Sequence, residues 1–299
     1  MTTYLPTLRQ LQYLVALYEH GHFGRAAESC FITQSTLSAS LRELETLLGS
    51  VLVERSRRVI RFTPLGSRIV AKARLVLRSA EELADLARAE REPLTGELRM
   101  SVIPTIAPFL LPPLLPRLRA AHPKLRLFLR EEPSGAACDR LNRGLVDCVL
   151  LAMPFECGEI EHEILFEDQL LVAAPAGEFA GTSVRPEEIG SARMLLLEDG
   201  HCLKDHALAA CNRPEMRSAA MMLGTSLHTL VQMVDNRLGV TLVPQMAVEA
   251  GLLEGTTIEL HTLISEHARR EVALIWRPGS PREAEFRLLA AELRRLRPE

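Results

Sequence analysis

The chain has 299 residues, enough for two or three domains, with an apolar content of 47% that supports ample core and a net charge of −3. Its six cysteines (Cys30, Cys138, Cys148, Cys157, Cys202, Cys211) are too sparse for a secreted disulfide scaffold, and the N-terminus lacks the basic and apolar runs of a signal peptide. No apolar stretch approaches the length of a membrane span, so no membrane partner is expected and the cytoplasm is the expected location.

Charge is unevenly distributed. The first 91 residues hold 13 basic against 9 acidic side chains, a net of +4, which leaves −7 for the remainder. A basic end beside an acidic body points to nucleic acid as a partner of the N-terminal segment. Within that segment Leu8, Leu11, Leu14, Val15 and Tyr18 recur at helical spacing as far as Gly21. A short helix, FGRAAESC, follows, with Ala26 and Ala27 small enough for close helix contact. Phe31-Ile32 forms a turn, and Thr33 caps a third helix, QSTLSASLRELETLLG. Leu37, Leu41, Leu44, Leu47 and Leu48 form its inward face. Gln34, Ser35, Thr36, Ser38 and Arg42 suit contacts to base edges and phosphates. Two short β-like runs flank the basic turn Arg55-Ser56-Arg57-Arg58, which predicts a winged helix-turn-helix over 1–66 with Arg57 and Arg58 on the phosphate backbone. The alternative is a plain three-helix bundle with a solvated polar face.

Thr63-Pro64 starts a linker helix over 64–92. Ile69, Ala73, Val76, Leu77, Ala80, Leu83, Ala84 and Ala87 run along one side of it, and a second copy is the economical partner for that stripe. Pairing would set two recognition helices against a two-fold operator in double-stranded DNA.

Beyond Pro93 and Gly96 strands and helices alternate. Strands are expected at GELRMSVIPTI, LRLFLREE, DCVLLAM, LLVAAP, ARMLLLED, GVTLVP and EVALIWRP, with helices near 110–121, 136–143, 227–236 and 281–296. The pattern predicts an α/β regulatory domain over 93–299, with lobe I about 93–166 and 270–299 and lobe II about 167–269. Ligands in such folds bind beyond the carboxyl ends of strands. Thr105, Ser134, residues 198–202 and Arg277 each follow a predicted strand, so they are candidates to line one cleft.

The stretch LLLEDGHCLKDHALAACN, 195–212, carries Cys202 and Cys211 nine positions apart, with His201, Lys204 and His206 near the first. Asp199 and Gly200 read as the stop and cap before a strong helix former, which puts Cys202 in the first turn. The helix dipole, His201 and Lys204 would favour thiolate there, and Glu198, Asp199 and Asp205 would oppose it. Nine residues of helix separate the two Cα atoms by roughly 13 Å. A disulfide needs about 7 Å or less, so a Cys202–Cys211 bond would require unwinding and would act as a switch. Two other readings stay open: a pair of small buried apolar residues, or a zinc site built from His201, Cys202, His206 and Cys211. Cys148 in mid-strand and Cys30 at the end of the second helix read as core. Cys138 falls in a predicted helix and Cys157 in a loop, and neither has a CxxC partner or metal-ligand spacing. There is no Walker loop and no Rossmann glycine fingerprint, so no cofactor is expected.

The helix-turn-helix, the long linker helix and the two-lobed α/β domain closely resemble the LysR-type transcriptional regulators over the full length of the chain. Within that family, LEDGHCLKDHALAAC resembles the sensing segment of the OxyR group of hydrogen peroxide sensors, as do VIPTIAPFLLP at 102–112, LVDCVLLAM at 145–153 and WRPGSP at 276–281. The resemblance implies a periplasmic-binding-protein-like regulatory domain. It implies that peroxide oxidises Cys202, the peroxidatic cysteine, to a sulfenic acid, and that Cys211, the resolving cysteine, condenses with it. Thr105, His201 and Asp205 would hold peroxide, with Ser134 standing where the family often has threonine, and Arg277 would support the sulfur. Further implications are an activator of oxidative-stress genes rather than an enzyme, contacts with RNA polymerase, a glutaredoxin- or thioredoxin-type thiol reductant, and homodimers that assemble into homotetramers. Ser35 replaces a frequent proline and Ser40 a common glutamine, so the operator is not carried over. Two competing readings are a LysR-type regulator with a small organic effector between its lobes, and a thiol peroxidase. The DNA-binding half and the lack of a second redox motif argue against the peroxidase.

Overall fold

The computed structural model describes residues 5–55, 60–89, 94–190, 193–213 and 223–295, and the chain divides into two compact units, 1–88 with 143–145 and 89–142 with 146–299.

The first unit is a winged helix-turn-helix followed by a long helix. Helix α1 (Leu8–His20) starts on a capping box, in which Thr7 Oγ1 accepts from Gln10 N and Gln10 Oε1 accepts from Thr7 N, and it stops at Gly21 in the left-handed region. Helices α2 (Phe23–Ser29) and α3 (Gln34–Leu48) follow, the second capped by Thr33. Leu14, Leu17, Ala26, Ala27, Leu37, Leu41 and Leu44 form the core. Ala26 is wholly buried, which is the close helix contact expected of it, whereas Leu47 ends exposed. Strands β1 (Val53–Arg55) and β2 (Ile60–Phe62) pair antiparallel as the wing. Arg57 and Arg58 lie outside the described residues. Helix α4 (Pro64–Ala89) is capped by Thr63, and its Gly66 is required: a Cβ there would stand 2.2 Å from the Leu52 carbonyl oxygen. Val70 of α4 joins the core and Ala73 is buried, while Val76 is 48% and Leu83 71% exposed, so part of the apolar stripe has no cover within this unit.

The second unit contains strands β3 (Gly96–Val102), β4 (Leu125–Glu131), β5 (Cys148–Met153), β6 (Glu161–Pro175), β7 (Ser183–Val184), β8 (Leu196–Leu197), β9 (Leu223–Gly224), β10 (Thr241–Pro244), β11 (Ile258–Leu263) and β12 (Arg269–Trp276). Its helices are α5 (Ala107–Ala121), α6 (Ser134–Asn142), α7 (Cys202–Ala210), α8 (Leu227–Asp235), α9 (Gln245–Glu249) and α10 (Glu283–Arg294). The main sheet runs β4-β3-β5-β12-β6-β11-β7, with β10 also on β6. Pairing is parallel across β4-β3-β5 and antiparallel across β5-β12 and β12-β6. Two separate cores result. One gathers Leu98, Met100, Leu114, Leu150, Leu274, Trp276, Phe286 and Leu289, and the other gathers Leu170, Val172, Leu196, Leu208, Leu230, Val234 and Leu242.

Strand β6 is shared, placing Leu165 in the first core and Leu170 in the second. Only its last six residues were expected as a strand. Its first half, EHEILFED, holds only three apolar residues, Ile164 to Phe166, between polar ones along a half-covered stretch, a weaker signal than a long apolar run. The expected strand ARMLLLED shrinks to β8 and an isolated bridge between Met194 and Val240. Strand β11, with its alternating half-exposed IELHTL, went unforeseen.

A buried ionic cluster closes the first lobe. The Arg282 guanidinium contacts Asp147 at 3.3 Å and Glu285 at 2.6 Å. Asp147 also accepts from Arg99 N (2.7 Å), and Glu285 accepts from Leu94 N (3.1 Å). The C-terminal helix thereby fastens the start of β3. Removing one partner of such a cluster strands buried charge, at a cost of about 3–5 kcal/mol. Arg282→Ala is expected to lower the unfolding free energy by about that much, read as a shift of the urea midpoint.

Candidate functional site

Helix α7 begins at Cys202. Gly200 turns the chain with φ +92°, and His201, the N-cap, makes no side-chain capping bond. The exposed helix end is satisfied from another element: Ser134, the first residue of α6, accepts from Cys202 N at 3.3 Å. The Ser134 hydroxyl and the Ala152 N–H also hydrogen-bond the Cys202 sulfur. Cys202 is buried in the first core and Cys211, the C-cap residue, in the second, so the two ends of one helix sit in two different lobes. Both thiols are free.

Burial decides the electrostatics. It pushes the Cys202 thiol up, the Arg270 charge with the Ser134 and Ala152 hydrogen bonds pulls it back, and Asp205 adds to the rise. The two cations expected to favour thiolate are otherwise committed. Lys204 is paired with Asp199 at 2.6 Å, and burial pushes the His201 pKa down, away from the charged form. Burial also lifts Cys211 to about 11 and Cys148 to about 12.

The arginine that faces Cys202 is Arg270 rather than Arg277, a correction with a simple cause. Strand β12 runs antiparallel to β5, with Glu271 opposite Met153 and Trp276 opposite Cys148. Its amino end, not its carboxyl end, therefore lies beside the end of β5 that leads to the site. Arg277 instead donates to the carbonyls of Leu141 and Val146, and its charge acts on Cys148. Arg270 is fully buried. It pairs with Asp168 at 2.9 Å, donates to Thr105 Oγ1 at 2.9 Å and to the Thr105 carbonyl at 3.1 Å. Thr105 is thus one arginine away from Cys202, and its own O–H hydrogen stays available as a donor. Ser134, His201 and Asp205 are all at or beside the start of α7.

His206, one turn beyond Cys202, bonds the Pro154 carbonyl through Nε2 at 2.9 Å, so that nitrogen carries the proton and Nδ1 is a buried bare lone pair. Burial, reinforced by Arg270, pushes its pKa down to about 4, against the Pro154 bond. Among the described residues no group of His, Cys, Asp and Glu could hold a metal ion.

Residues 8–67 match the bacterial regulatory helix-turn-helix model of the lysR family, and residues 91–297 match the LysR substrate-binding domain. The chain belongs to the LysR family of transcriptional regulators. Among LysR-family relatives it is 42% identical over 293 residues to the HTH-type transcriptional regulator EstR of Acinetobacter baylyi, covering 98% of this chain and 97% of that one. It is 37% identical over 289 residues to a hydrogen peroxide-inducible genes activator of Escherichia coli, covering 96% and 94%. A full-length OxyR variant from Pseudomonas aeruginosa superposes with a TM-score of 0.79 at 33% identity, covering 97% of this chain and 95% of that chain. In the LysR-type helix-turn-helix, Gln34, Ser35, Thr36 and Arg42 are exposed at α3 and Ser38 is half-buried. Thr33 Oγ1 already engages the Ser35 and Thr36 hydroxyls at 2.8 Å each.

Sequence reasoning missed Arg270, the Asp168 beneath it and the bond between Cys138 and Cys157. The Arg269-Arg270 pair opening a strand was the available signal for the first.

The histidine carries a pH signature. His206 titrates near 6.5 when unfolded and about 4 when folded, so between those values the unfolded chain binds a proton that the native one does not. Stability is therefore expected to fall as pH drops from about 6.5 toward 4, by up to about 3 kcal/mol. Urea unfolding of wild type at pH 7.5 and 5 should reveal the loss, and His206→Gln should flatten it.

Proposed function

We propose that this LysR-type regulator is a DNA-binding hydrogen peroxide sensor in which Cys202 is the oxidised cysteine and Cys211 resolves it. The observation that carries the reading is a pair of free thiols at the two ends of one helix, each sunk in a different lobe core, with Arg270, Ser134 and the Ala152 N–H gathered on the first. Attack of the Cys202 sulfur on peroxide cleaves the O–O bond and gives a sulfenic acid and water, and the surrounding donors stabilise the charge that develops on the departing oxygen. Thr105, His201 and Asp205 hold the oxidant. Cys211 then attacks the sulfenic sulfur, releasing a second water and forming the disulfide.

Helix geometry keeps the two Cα atoms roughly 13 Å apart, so closing the bond unwinds α7 and draws at least one cysteine out of its core. The change re-sets the lobes of the 93–299 domain and, through the 64–92 linker, the DNA-binding heads of 1–66. Residues Gln34, Ser35, Thr36, Ser38 and Arg42 read the operator, with Arg57 and Arg58 on phosphates. The exposed Val76 and Leu83 are covered by a second copy, and pairs of dimers form tetramers. A thiol reductant of glutaredoxin or thioredoxin type restores the thiols, and RNA polymerase is the downstream contact for defence genes.

Thiol mass spectrometry with one equivalent of peroxide tests the chemistry. Wild type is expected to lose two mass units in a Cys202–Cys211 peptide and Cys202→Ser to lose none, with a shifted operator footprint only in wild type. Arg270→Lys should slow the oxidation on the order of tenfold or more, while Arg277→Lys stays within about twofold of wild type on the same argument. A second reading, a small organic effector with incidental cysteines, draws on a cavity of about 460 Å³ lined by Met153, Pro154, His206 and Arg270 among others. It requires Cys202→Ser to keep full induction.

A further inference from the structure

A disulfide joins Cys138 on α6 to Cys157 in the segment after β5, with Cα atoms 5.2 Å apart. Both halves are buried in the same core as Cys202. A protein that reads DNA works where thiols are kept reduced, and the disulfides found there are mostly catalytic or redox-sensing. Location makes the case. Helix α6 opens with Ser134, whose oxygen accepts from Cys202 N and whose hydroxyl bonds the Cys202 sulfur. Strand β5, which leads into the segment at the other end of the bond, supplies the Ala152 N–H to that sulfur, and the segment itself supplies the Pro154 carbonyl to His206 on α7. Asn142, closing α6, donates to the Cys157 carbonyl at 3.1 Å. Helix α6, helix α7, the end of β5 and the 154–157 segment therefore form a ring of attachments around Cys202, and the disulfide is the covalent link in it.

We propose that Cys138 and Cys157 are a second thiol–disulfide couple that positions the Cys202 site: closed, it holds Ser134 and Ala152 on the sulfur, and opened by a dithiol reductant it lets them go. The proposal rests on Cys202 being the reactive thiol. On opening, the dithiol gives two electrons and two protons, becoming a disulfide and leaving two thiols on the protein. On closing, one hydrogen peroxide oxidises one thiol to a sulfenic acid with loss of water, and the other thiol condenses with it, releasing a second water. A cell rich in dithiol reductant thus holds a slack site, and one already exposed to oxidant holds a primed one.

The test uses full-length protein in three forms: bridged wild type, wild type opened with dithiothreitol and desalted without oxygen, and a Cys138→Ser/Cys157→Ser double variant. Peptide mapping counts the bridge. Alkylation of Cys202 by iodoacetamide across pH gives its ionisation midpoint, and quenched-flow mass spectrometry gives its rate with peroxide. Opening the bridge is expected to raise the midpoint by about one pH unit, because two donors to the thiolate are loosened. It is also expected to slow peroxide oxidation about tenfold or more. A staple with no positioning role would lower the melting temperature and leave both readouts within about twofold, which would overturn the proposal. Failure of the thiols to close under peroxide would overturn it as well. A double variant that does not fold leaves the reduced wild type as the deciding arm. If the midpoint moves with the bridge but Cys202 ignores peroxide in both states, the clamp stands and the peroxide reading falls.

Discussion

Helix α7 is anchored by its ends in two hydrophobic cores that are also joined through strand β6. Cys202 packs with the β3-β5-β12 lobe and Cys211 with the lobe around β8, β10 and α8. A helix of nine residues cannot shorten without losing its hydrogen bonds. Its two ends therefore hold the lobes at a set spacing as long as it stays wound. Each buried sulfur contributes apolar packing in the reduced state, so any chemistry that joins them must first overcome the burial of at least one.

The same burial shapes the reactivity. A thiol pushed up by desolvation is a poor nucleophile until something favours its charged form. The protein answers with a buried cation, and a buried cation needs its own partner. Asp168 supplies it, accepting from Arg270 on one oxygen and from Met246 N on the other. The guanidinium is left aimed by Thr105 rather than free to swing. Lys204 shows the contrasting outcome, since its pairing with Asp199 removes it from the electrostatics of the sulfur.

Much of this architecture was legible in the chain itself. The helix-turn-helix could be read because its caps, alanine contact and leucine face all follow period and turn rules that act locally. The strands with continuous apolar runs, such as CVLLAM and TLVP, were equally plain. The first half of β6 and the whole of β11 were not, because charged and polar residues break up their apolar signal, and β8 was overcalled from an apolar run that mostly packs without pairing. At the site, Ser134 and Thr105 could be picked out because each follows a strand of the parallel set, and Cys202 because it is paired with Cys211 along one helix. Arg277 was chosen by the same rule, and the rule fails for a strand that runs the other way. Strand direction depends on pairing between residues more than a hundred positions apart, which no local pattern carries. The Cys138–Cys157 bond spans only 19 residues, but it joins a helix to a loop without a CxxC spacing, so nothing in the local pattern marked it.

The order of the chain has a consequence for synthesis. Apart from Cys202, the first lobe takes its core from residues 94–165 and from 272–293, with the bulk of the second lobe threaded between them. As the ribosome emits the chain from its N-terminus, the DNA-binding unit and then the second lobe have their full complement of residues before the first lobe does. Strand β12 and helix α10 arrive last, and with them Arg270, Trp276 and the Arg282 cluster. Until then Cys202 has neither its core nor its cation. A nascent or truncated chain can hold a finished DNA-binding head while the surroundings of its cysteine are still unmade, so β12 and α10 decide whether a folded head is joined to a finished first lobe.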